Sequence, residues 1–227
     1  MIRHGKKYTD TAKKAPEARV SVEEAVAFVK ANAGAKFDES VEVGMHMGCD
    51  PRKSDQMIRG TVSLPHGTGK NVKVIVFAGG AAADAAREAG ADAVGTDDLL
   101  EKIKGGWMDF DVAISTPECM AGVRKLARVL GPRGLMPNPK TGTVTDDTAT
   151  AVKQQKAGKV EFRMDRQGNI CTLVGKRSFD AQKLVENVNA LVDAIRAVRP
   201  AALKGQLFRK ISLSSTMGVP VKIDIKD

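Results

Sequence analysis

Two cationic side chains lie in a stretch of the sequence whose backbone is restricted by proline and glycine. The stretch runs from Val129 to Val144 and contains Arg133, Lys140, three prolines and three glycines. Proline fixes its own φ and lacks a backbone donor, whereas glycine permits positive φ, so the stretch is predicted to be a loop. A rigid basic loop can surround a phosphate with cations and N–H donors. The stretch is a candidate phosphate site, and the alternative is a rigid basic tip without a bound anion.

Catalytic chemistry has little support in this sequence. A hydrolase needs a nucleophile with a base in reach, but the three histidines, His4, His46 and His66, all lie within the first 66 residues. The familiar zinc-protease, nucleophile-elbow and calcium-loop motifs do not occur. The three cysteines are far apart and include no C-x-x-C pair, which favours a reducing cytosol over a disulfide framework or a zinc site. We expect no catalytic residue, no metal site and no cofactor.

Nucleotide binding is the rival interpretation. Gly79 and Gly80 follow a predicted strand and open a predicted helix, which is the context of a Rossmann turn. The third glycine of that motif is missing, because alanines occupy 81–83, and Thr68 to Asn71 lacks the features of a P-loop. Tight packing of helix against sheet is the simpler explanation of the two glycines. A nucleotide-binding enzyme and a scaffold that binds no nucleic acid remain the alternatives.

Two other segments contain residues that suit RNA recognition. Phe37 lies among Lys36 and two acidic residues, where it either plugs a helix-to-strand connection or offers an aromatic face to bases or sugars. Ser214 to Gly218 places three hydroxyl groups beside a glycine near the end of the chain. This second segment is either an ordinary turn or a place where backbone and hydroxyl groups approach an RNA strand.

The charge distribution favours a polyanionic partner for the two ends of the chain. The formal net charge is +9, with 42% hydrophobic and 28% charged residues, as in a globular protein. Residues 67–159 carry 13 cationic against 11 acidic residues, whereas the flanks carry 23 against 16. Part of the flanking charge surrounds a predicted hairpin and comes from Arg163, Arg166, Lys176 and Arg177. No apolar run approaches the roughly 18 to 20 residues of a membrane span, and the first 19 residues lack the apolar core of a secretory signal.

The first flank is predicted to contain a tail, a helix and two strands. Residues 1–19 have six cations and no apolar periodicity, so we expect a solvated tail or a basic arm that orders on phosphates. Ser21 and Glu24 form a capping box for a helix that ends near a C-cap at Ala33-Gly34. Apolar residues then alternate from Val41 to Met47, which predicts a half-buried strand, and a second strand follows at 60–64.

The middle of the chain has a different pattern from its ends. Between glycine-bearing joints at 65–69 and 157–159, short apolar strands alternate with helices, which suits a parallel sheet covered on both faces. The strands are predicted at 72–77, 93–94 and 112–114, and the helices at 81–89, 97–104, 118–129 and 146–156. Beyond the second joint we predict a hairpin at 159–174, an amphipathic helix at 180–198 and two final strands. An α+β domain built from both ends, with an α/β domain inserted, is the economical fold.

Several long strings of residues resemble the bacterial-type ribosomal protein L-one family. The resemblance covers essentially the whole chain and also includes the loop from Val129 to Val144. The other strings are Lys36 to Glu39, Asp50 to Gln56, Arg59 to Gly67, Gly106 to Asp111 and Ser215 to Gly218.

The resemblance implies both a fold and a function. It implies a discontinuous α+β domain with an antiparallel sheet, residues 1–66 and 160–227, and an inserted Rossmann-like doubly wound domain, residues 67–159, joined by a hinge. Members bind the stalk region of large-subunit ribosomal RNA, and the stalk moves with transfer RNA leaving the exit site. Many members also repress translation of their own messenger RNA. For this chain it implies a ribosome-bound, cytoplasmic protein with no membrane partner.

The resemblance also implies which residues bind RNA. They are expected in the first domain, and the matching positions are Lys36, Phe37, Arg163, Asp165, Gly168, Ser215, Thr216, Met217 and Gly218. Cys171 departs from the family pattern, in which histidine is common, and Lys210 and Ser214 have weaker support. On this basis the loop that contains Arg133 becomes a rigid basic tip of the inserted domain rather than the main RNA site.

Overall fold

The computed structural model describes residues 5–225 of the chain, which combine α-helices with both antiparallel and parallel β-sheets. The α-helices are α1 (Lys6–Lys14), α2 (Val22–Asn32), α3 (Gly80–Glu88), α4 (Asp97–Lys104), α5 (Met120–Arg124), α6 (Ala127–Leu130), α7 (Thr148–Lys156) and α8 (Ala181–Ala197). The strands are β1 (Ser40–Met47), β2 (Arg59–Ser63), β3 (Val74–Phe77), β4 (Ala93–Gly95), β5 (Val112–Ser115), β6 (Lys159–Arg163), β7 (Asn169–Lys176), β8 (Phe208–Ser215) and β9 (Val221–Ile223). The prediction of a mixed α/β protein is confirmed.

These elements form two compact units. The first contains the described residues up to Gly69 and those from Val160 onward, and the second contains Lys70–Lys159. The chain therefore passes between the units twice. Gly67 and Gly69 both have positive φ, so the first connection bends with backbone angles that favour glycine.

The first unit is built on a four-stranded sheet with the order β7-β1-β8-β9. The central strand, β1, pairs antiparallel with both β7 and β8. Alternate β1 residues, Val41 to Met47, are buried in one core together with apolar residues of α2 and of α8, such as Leu184 and Val188. The predicted alternation of β1 and the apolar stripe of α8 are both confirmed. Because the helices pack on the face to which these residues point, the opposite face retains the polar and small residues.

Several local predictions for the first unit are wrong. Residues Lys6–Lys14, expected in a tail, form α1, while residues 1–4 of that tail lie outside the described part. The capping hydroxyl of Ser21 does accept the N–H of Glu24, at 3.2 Å, and α2 ends at Asn32, next to the predicted Ala33-Gly34. Only the type of cap differs, because Ala33 is the C-cap and Gly34 has no positive φ. The strands predicted as a hairpin also belong to different sheets, since β6 pairs with β2 and β7 pairs with β1. Long-range pairing, which a local pattern does not encode, decided that arrangement.

The second unit contains a three-stranded parallel sheet with the order β4-β3-β5. Successive residues of β3 point to opposite faces, so that Ile75 and Phe77 pack into one core and Val74 and Val76 into another. Residues of α4, α5 and α6 cover the first face, and residues of α3 and α7 cover the second. This two-sided burial explains the continuous apolar runs in the sequence.

Two predictions for the second unit need correction. The helix expected at 118–129 is interrupted, giving the short helices α5 and α6. Gly79 and Gly80 are not explained by tight packing, because a Cβ at Gly80 would meet no atom within 4 Å, and one at Gly79 only a methyl group at 4.0 Å. Gly80 instead has a φ of 57°, so its left-handed backbone accounts for the glycine.

A buried asparagine of α8 holds the chain where it leaves the first unit. Asn187 is fully buried, and its Nδ2 donates to the carbonyl oxygens of Gly67, at 3.0 Å, and Val174, at 2.7 Å. Its Oδ1 accepts the N–H of His66 at 3.2 Å. One side chain therefore satisfies three backbone groups that no helix or sheet pairs.

Asn187→Ala is expected to lower the free energy of unfolding by about 2–4 kcal/mol, because it leaves one buried and two part-buried backbone groups without their partner. The measurement is urea unfolding followed by circular dichroism. Asn189→Ala is the matched control, since Asn189 is exposed on the same helix and its loss should cost no more than about 0.5 kcal/mol. Equal destabilisation by the two substitutions would contradict this role of Asn187.

Within residues 5–225, no helix is long and apolar enough to cross a membrane.

Candidate nucleic-acid interface

The segment before β1 and the turn after β8 lie next to each other because these two strands pair antiparallel. Val41 is opposite Ser215 in that pairing, so the beginning of β1 meets the end of β8. Two large apolar side chains are exposed there, Phe37 at 55% and Met217 at 67%. This exposure contradicts the packing plug for Phe37, while contact of its ring with RNA stays a prediction. Lys36 and Thr216 are exposed beside them.

A buried carboxylate joins the two segments. Glu39 is fully buried, and its oxygens accept the backbone N–H of Ala35 at 2.8 Å and that of Met217 at 3.3 Å. Burial by itself raises the pKa of the Glu39 carboxyl. Hydrogen bonds from the Ser215 hydroxyl and from the two N–H groups outweigh burial, so the pKa lies below its ordinary value. The ionised carboxylate therefore fixes the positions of both exposed apolar residues.

Hydroxyl groups hold the turn rather than point freely to solvent. The Thr216 hydroxyl accepts the N–H of Ser40 at 3.0 Å and lies 3.3 Å from the Ser40 carbonyl oxygen. The N–H of Thr216 also donates to that carbonyl, at 3.0 Å. Ser215 is only 5% exposed, which gives its hydroxyl a positioning role through Glu39.

Position 218 needs a glycine because a side chain there would collide with Ser215, and not because of its backbone angles. Its N–H donates to the Ser215 carbonyl at 3.0 Å, and its φ lies outside the left-handed region. A Cβ at this position would lie 2.3 Å from the Ser215 Oγ. Only glycine leaves the Ser215 hydroxyl in place to bond Glu39.

The hairpin residues of the prediction lie at the other end of β1. Asp165 Oδ1 accepts the N–H groups of Gln167 and Asn169, both at 2.8 Å, and the Asn169 N–H is the largest cause of the lowered pKa of Asp165. Gly168 is buried with a φ of 81°, and its carbonyl accepts the N–H of Met47 at 2.8 Å. Asp165 and Gly168 therefore shape the turn.

Arginine side chains surround this turn. Arg163, Arg166 and Arg52 line a cavity of about 590 Å³ together with Asp165. All three arginines are exposed. They supply cations at the Met47 end of β1. This end lies roughly 24 Å from Ser40, because each residue of a strand adds about 3.3 Å. The predicted site residues thus form two groups, one at each end of β1.

The open face of the sheet connects these groups. Gly44, His46, Cys171, Lys210 and Ser212 line a shallow depression on β1, β7 and β8. The His46 ring contacts the side chain of Asn169, with 2.9 Å between Nδ1 and Oδ1. The strand alternation that exposes these residues was visible in the sequence, but their grouping depends on the strand order.

The basic loop of the second unit is ordered by its own side chains. Asn138 Oδ1 accepts the N–H of Lys140 at 2.9 Å, and the Thr143 hydroxyl accepts the N–H of Asn138 at 2.7 Å. Arg133 and Lys140 are exposed. Among the described residues, no group of three or more histidine, cysteine, aspartate or glutamate side chains could hold a metal ion.

Comparison with known proteins identifies the family. The sequence model of the Ribosomal protein L1p/L10e family matches residues 29–219, well over half of the chain. The chain belongs to this family. The matched range of this L1p/L10e protein includes both groups of candidate residues and begins beyond α1.

Full-length similarity to individual family members is high. The large ribosomal subunit protein uL1 of Cutibacterium acnes is 59% identical over 90% of this chain and 88% of its own length. The protein of the same name from Lactobacillus delbrueckii subsp. bulgaricus is 54% identical over 99% of this chain and 97% of its own length. The Mycobacteroides abscessus relative is 52% identical over 99% and 96% of the two chains. The resemblance inferred from the sequence is confirmed.

Proposed function

We propose that this chain is a structural constituent of the large ribosomal subunit and binds the stalk region of large-subunit ribosomal RNA. Its relatives are named large ribosomal subunit protein uL1. The observation that carries the proposal is the exposed pair Phe37 and Met217, held by the buried Glu39 carboxylate at the edge of a polar sheet face. An apolar pair fixed in position beside cations and hydroxyl groups suits RNA better than a small substrate.

The proposed mechanism is recognition of the shape of a folded RNA. Phe37 and Met217 pack against riboses or bases, and backbone groups of the 216–218 turn bond sugar hydroxyls. The arginines around Asp165 neutralise phosphates at the other end of β1, which supplies affinity without reading bases. The sheet face between the two groups contacts the RNA backbone along its length.

We propose that the two compact units are domains joined by a hinge. Residues 1–66 and 160–227 form the RNA-binding domain, and residues 67–159 form an inserted Rossmann-like domain. The two passages of the chain and the separate cores of the two sheets support this division. Relative motion is the default expectation for two domains of one chain.

Two further partners complete the proposal. The second unit takes part in the release of exit-site transfer RNA. Its exposed Arg133 and Lys140, on an ordered loop, offer cations to the phosphates of that transfer RNA. The first unit also represses translation of the protein's own messenger RNA by binding a site that mimics the ribosomal one. The protein acts in the cytoplasm, bound to the ribosome.

Thr216→Ala is expected to lower the affinity for a stalk-region ribosomal RNA fragment about tenfold, because the turn loses its hydroxyl bonds to Ser40. The double variant Arg133→Ala/Lys140→Ala should lose less than about threefold, since exposed charges outside the site contribute little. Filter binding at fixed salt measures both.

Equal losses from these two variants would contradict the placement of the main RNA site at the turn that contains Thr216. Saturable binding of ATP or NAD in calorimetry, with no affinity for the RNA fragment, would instead favour the nucleotide-binding alternative.

A further inference from the structure

A cavity of about 420 Å³ lies between α1 and the exposed apolar pair of the first unit. Tyr8 and Thr11 line it from α1, Asn32 from the end of α2, and Phe37 and Met217 from the two segments held by Glu39. Its lining is mainly apolar. The volume lies within the range of about 300–1,000 Å³ that is usual for small-molecule sites in proteins.

The helix that bounds this cavity is basic and has no buried residue of its own. α1 carries Lys6, Lys7, Lys13 and Lys14 against the single acidic residue Asp10. No side chain of α1 is fully buried, so the helix is not fixed by a core of its own. The family model matches the chain only from residue 29 onward, beyond α1. Its charge suits a polyanion beside the cavity.

The cavity combines two aromatic rings with a polar group. Tyr8 and Phe37 are both among its lining residues. The Asn32 Nδ2 donates to the Phe28 carbonyl at 2.9 Å, which leaves the amide oxygen of Asn32 as an acceptor for a further N–H group. Apolar walls, aromatic rings and an amide acceptor are the features with which proteins hold an unstacked nucleobase.

We propose that this cavity receives the base of one unpaired nucleotide of the bound RNA. The base stacks against the Tyr8 and Phe37 rings and contacts Met217, while the α1 lysines neutralise the adjoining phosphates. This inference rests on the proposed function and deepens it. It adds a subsite for a single base, formed in part by α1, to an interface otherwise based on shape.

The test uses the full chain and a stalk-region ribosomal RNA fragment whose unpaired nucleotides are replaced, one at a time, by fluorescent 2-aminopurine. The wild type should change the emission of one position strongly on binding. Tyr8→Ala should abolish that change and lower the affinity about tenfold, the loss of one stacked base. Tyr8→Phe keeps the ring and should retain both the signal and the affinity.

Lys13→Gln is the matched control, because Lys13 lies on the same helix but does not line the cavity. This variant should bind slightly more weakly, with a smaller salt dependence, and keep the emission change of the wild type. Circular dichroism of Tyr8→Ala checks that the variant remains folded at the temperature of the binding measurement.

If wild type and Tyr8→Ala bind the fragment with equal affinity and equal emission at every position, the cavity holds no base and only the proposed function survives. If the wild type does not bind the fragment at all, the proposed function fails together with this inference.

Discussion

Gly218→Ala is expected to lower the affinity for the stalk-region RNA fragment by about 30-fold or more. The added Cβ would lie 2.3 Å from the Ser215 Oγ, so the Ser215 hydroxyl must rotate away from Glu39. The carboxylate then loses a partner, and the turn that presents Met217 shifts. Residues at the centre of an interface carry losses of about 2 kcal/mol or more, which corresponds to this factor. Filter binding or calorimetry measures the dissociation constant.

A second substitution tests the cause of that loss. Ser215→Ala removes the same hydroxyl partner of Glu39, so this variant alone should bind about as weakly as Gly218→Ala, and Ser215→Ala/Gly218→Ala should bind no more weakly than either. Gly79→Ala is the matched control, because its Cβ would meet only a methyl group at 4.0 Å in the second unit. If Ser215→Ala binds as tightly as the wild type, loss of the bond between Ser215 and Glu39 is not the reason that glycine is needed.

Glu39→Gln is expected to lower the free energy of unfolding by about 2–4 kcal/mol at neutral pH. The buried carboxylate accepts N–H groups of Ala35 and Met217 and a hydroxyl group of Ser215. The glutamine side chain places its NH2 group, a donor, against one of these three donors, so that one hydrogen bond is lost. It also lacks the negative charge that strengthens the other bonds. Urea unfolding measures the difference, and the loss of order around Phe37 should also weaken RNA binding.

Glu39 should also make the free energy of unfolding depend on pH, in a direction that follows from its lowered pKa. The pKa of Glu39 is lower in the folded chain than the ordinary 4.5, so unfolding takes up a proton between the two values. The stability that Glu39 contributes is therefore complete above about pH 4.5 and is lost as the pH falls through the folded pKa. The gap in stability between wild type and Glu39→Gln should narrow below that pH.

Glu42→Gln provides the control for both measurements. Glu42 lies three residues further along the chain, on β1, but is exposed, so its substitution should change stability by no more than about 0.5 kcal/mol. A gap between wild type and Glu39→Gln that stays constant from pH 6 to 3 would mean that the Glu39 charge does not hold the two segments.

Local sequence patterns determined much of the fold. Alternation along Val41–Met47 and the apolar stripe of α8 each depend on the period of a single element, and the structure confirms both. The continuous apolar residues of β3 indicated a strand buried on both faces, which is also observed. In contrast, α1 carries no apolar period because it has no buried residue, and so a pattern of hydrophobicity could not reveal it.

The sequence by itself also determined which residues are unusual, including an aromatic residue among charges at Phe37 and three hydroxyl groups beside Gly218. Only the tertiary structure decided how they act. β1 and β8 are far apart in the chain, and their pairing brings the Glu39 carboxylate to within 3.3 Å of the Met217 backbone nitrogen. Hydrogen bonds between distant segments depend on strand order and register, which a local pattern does not contain. For the same reason, the Asp165 turn joins two sheets instead of closing a hairpin.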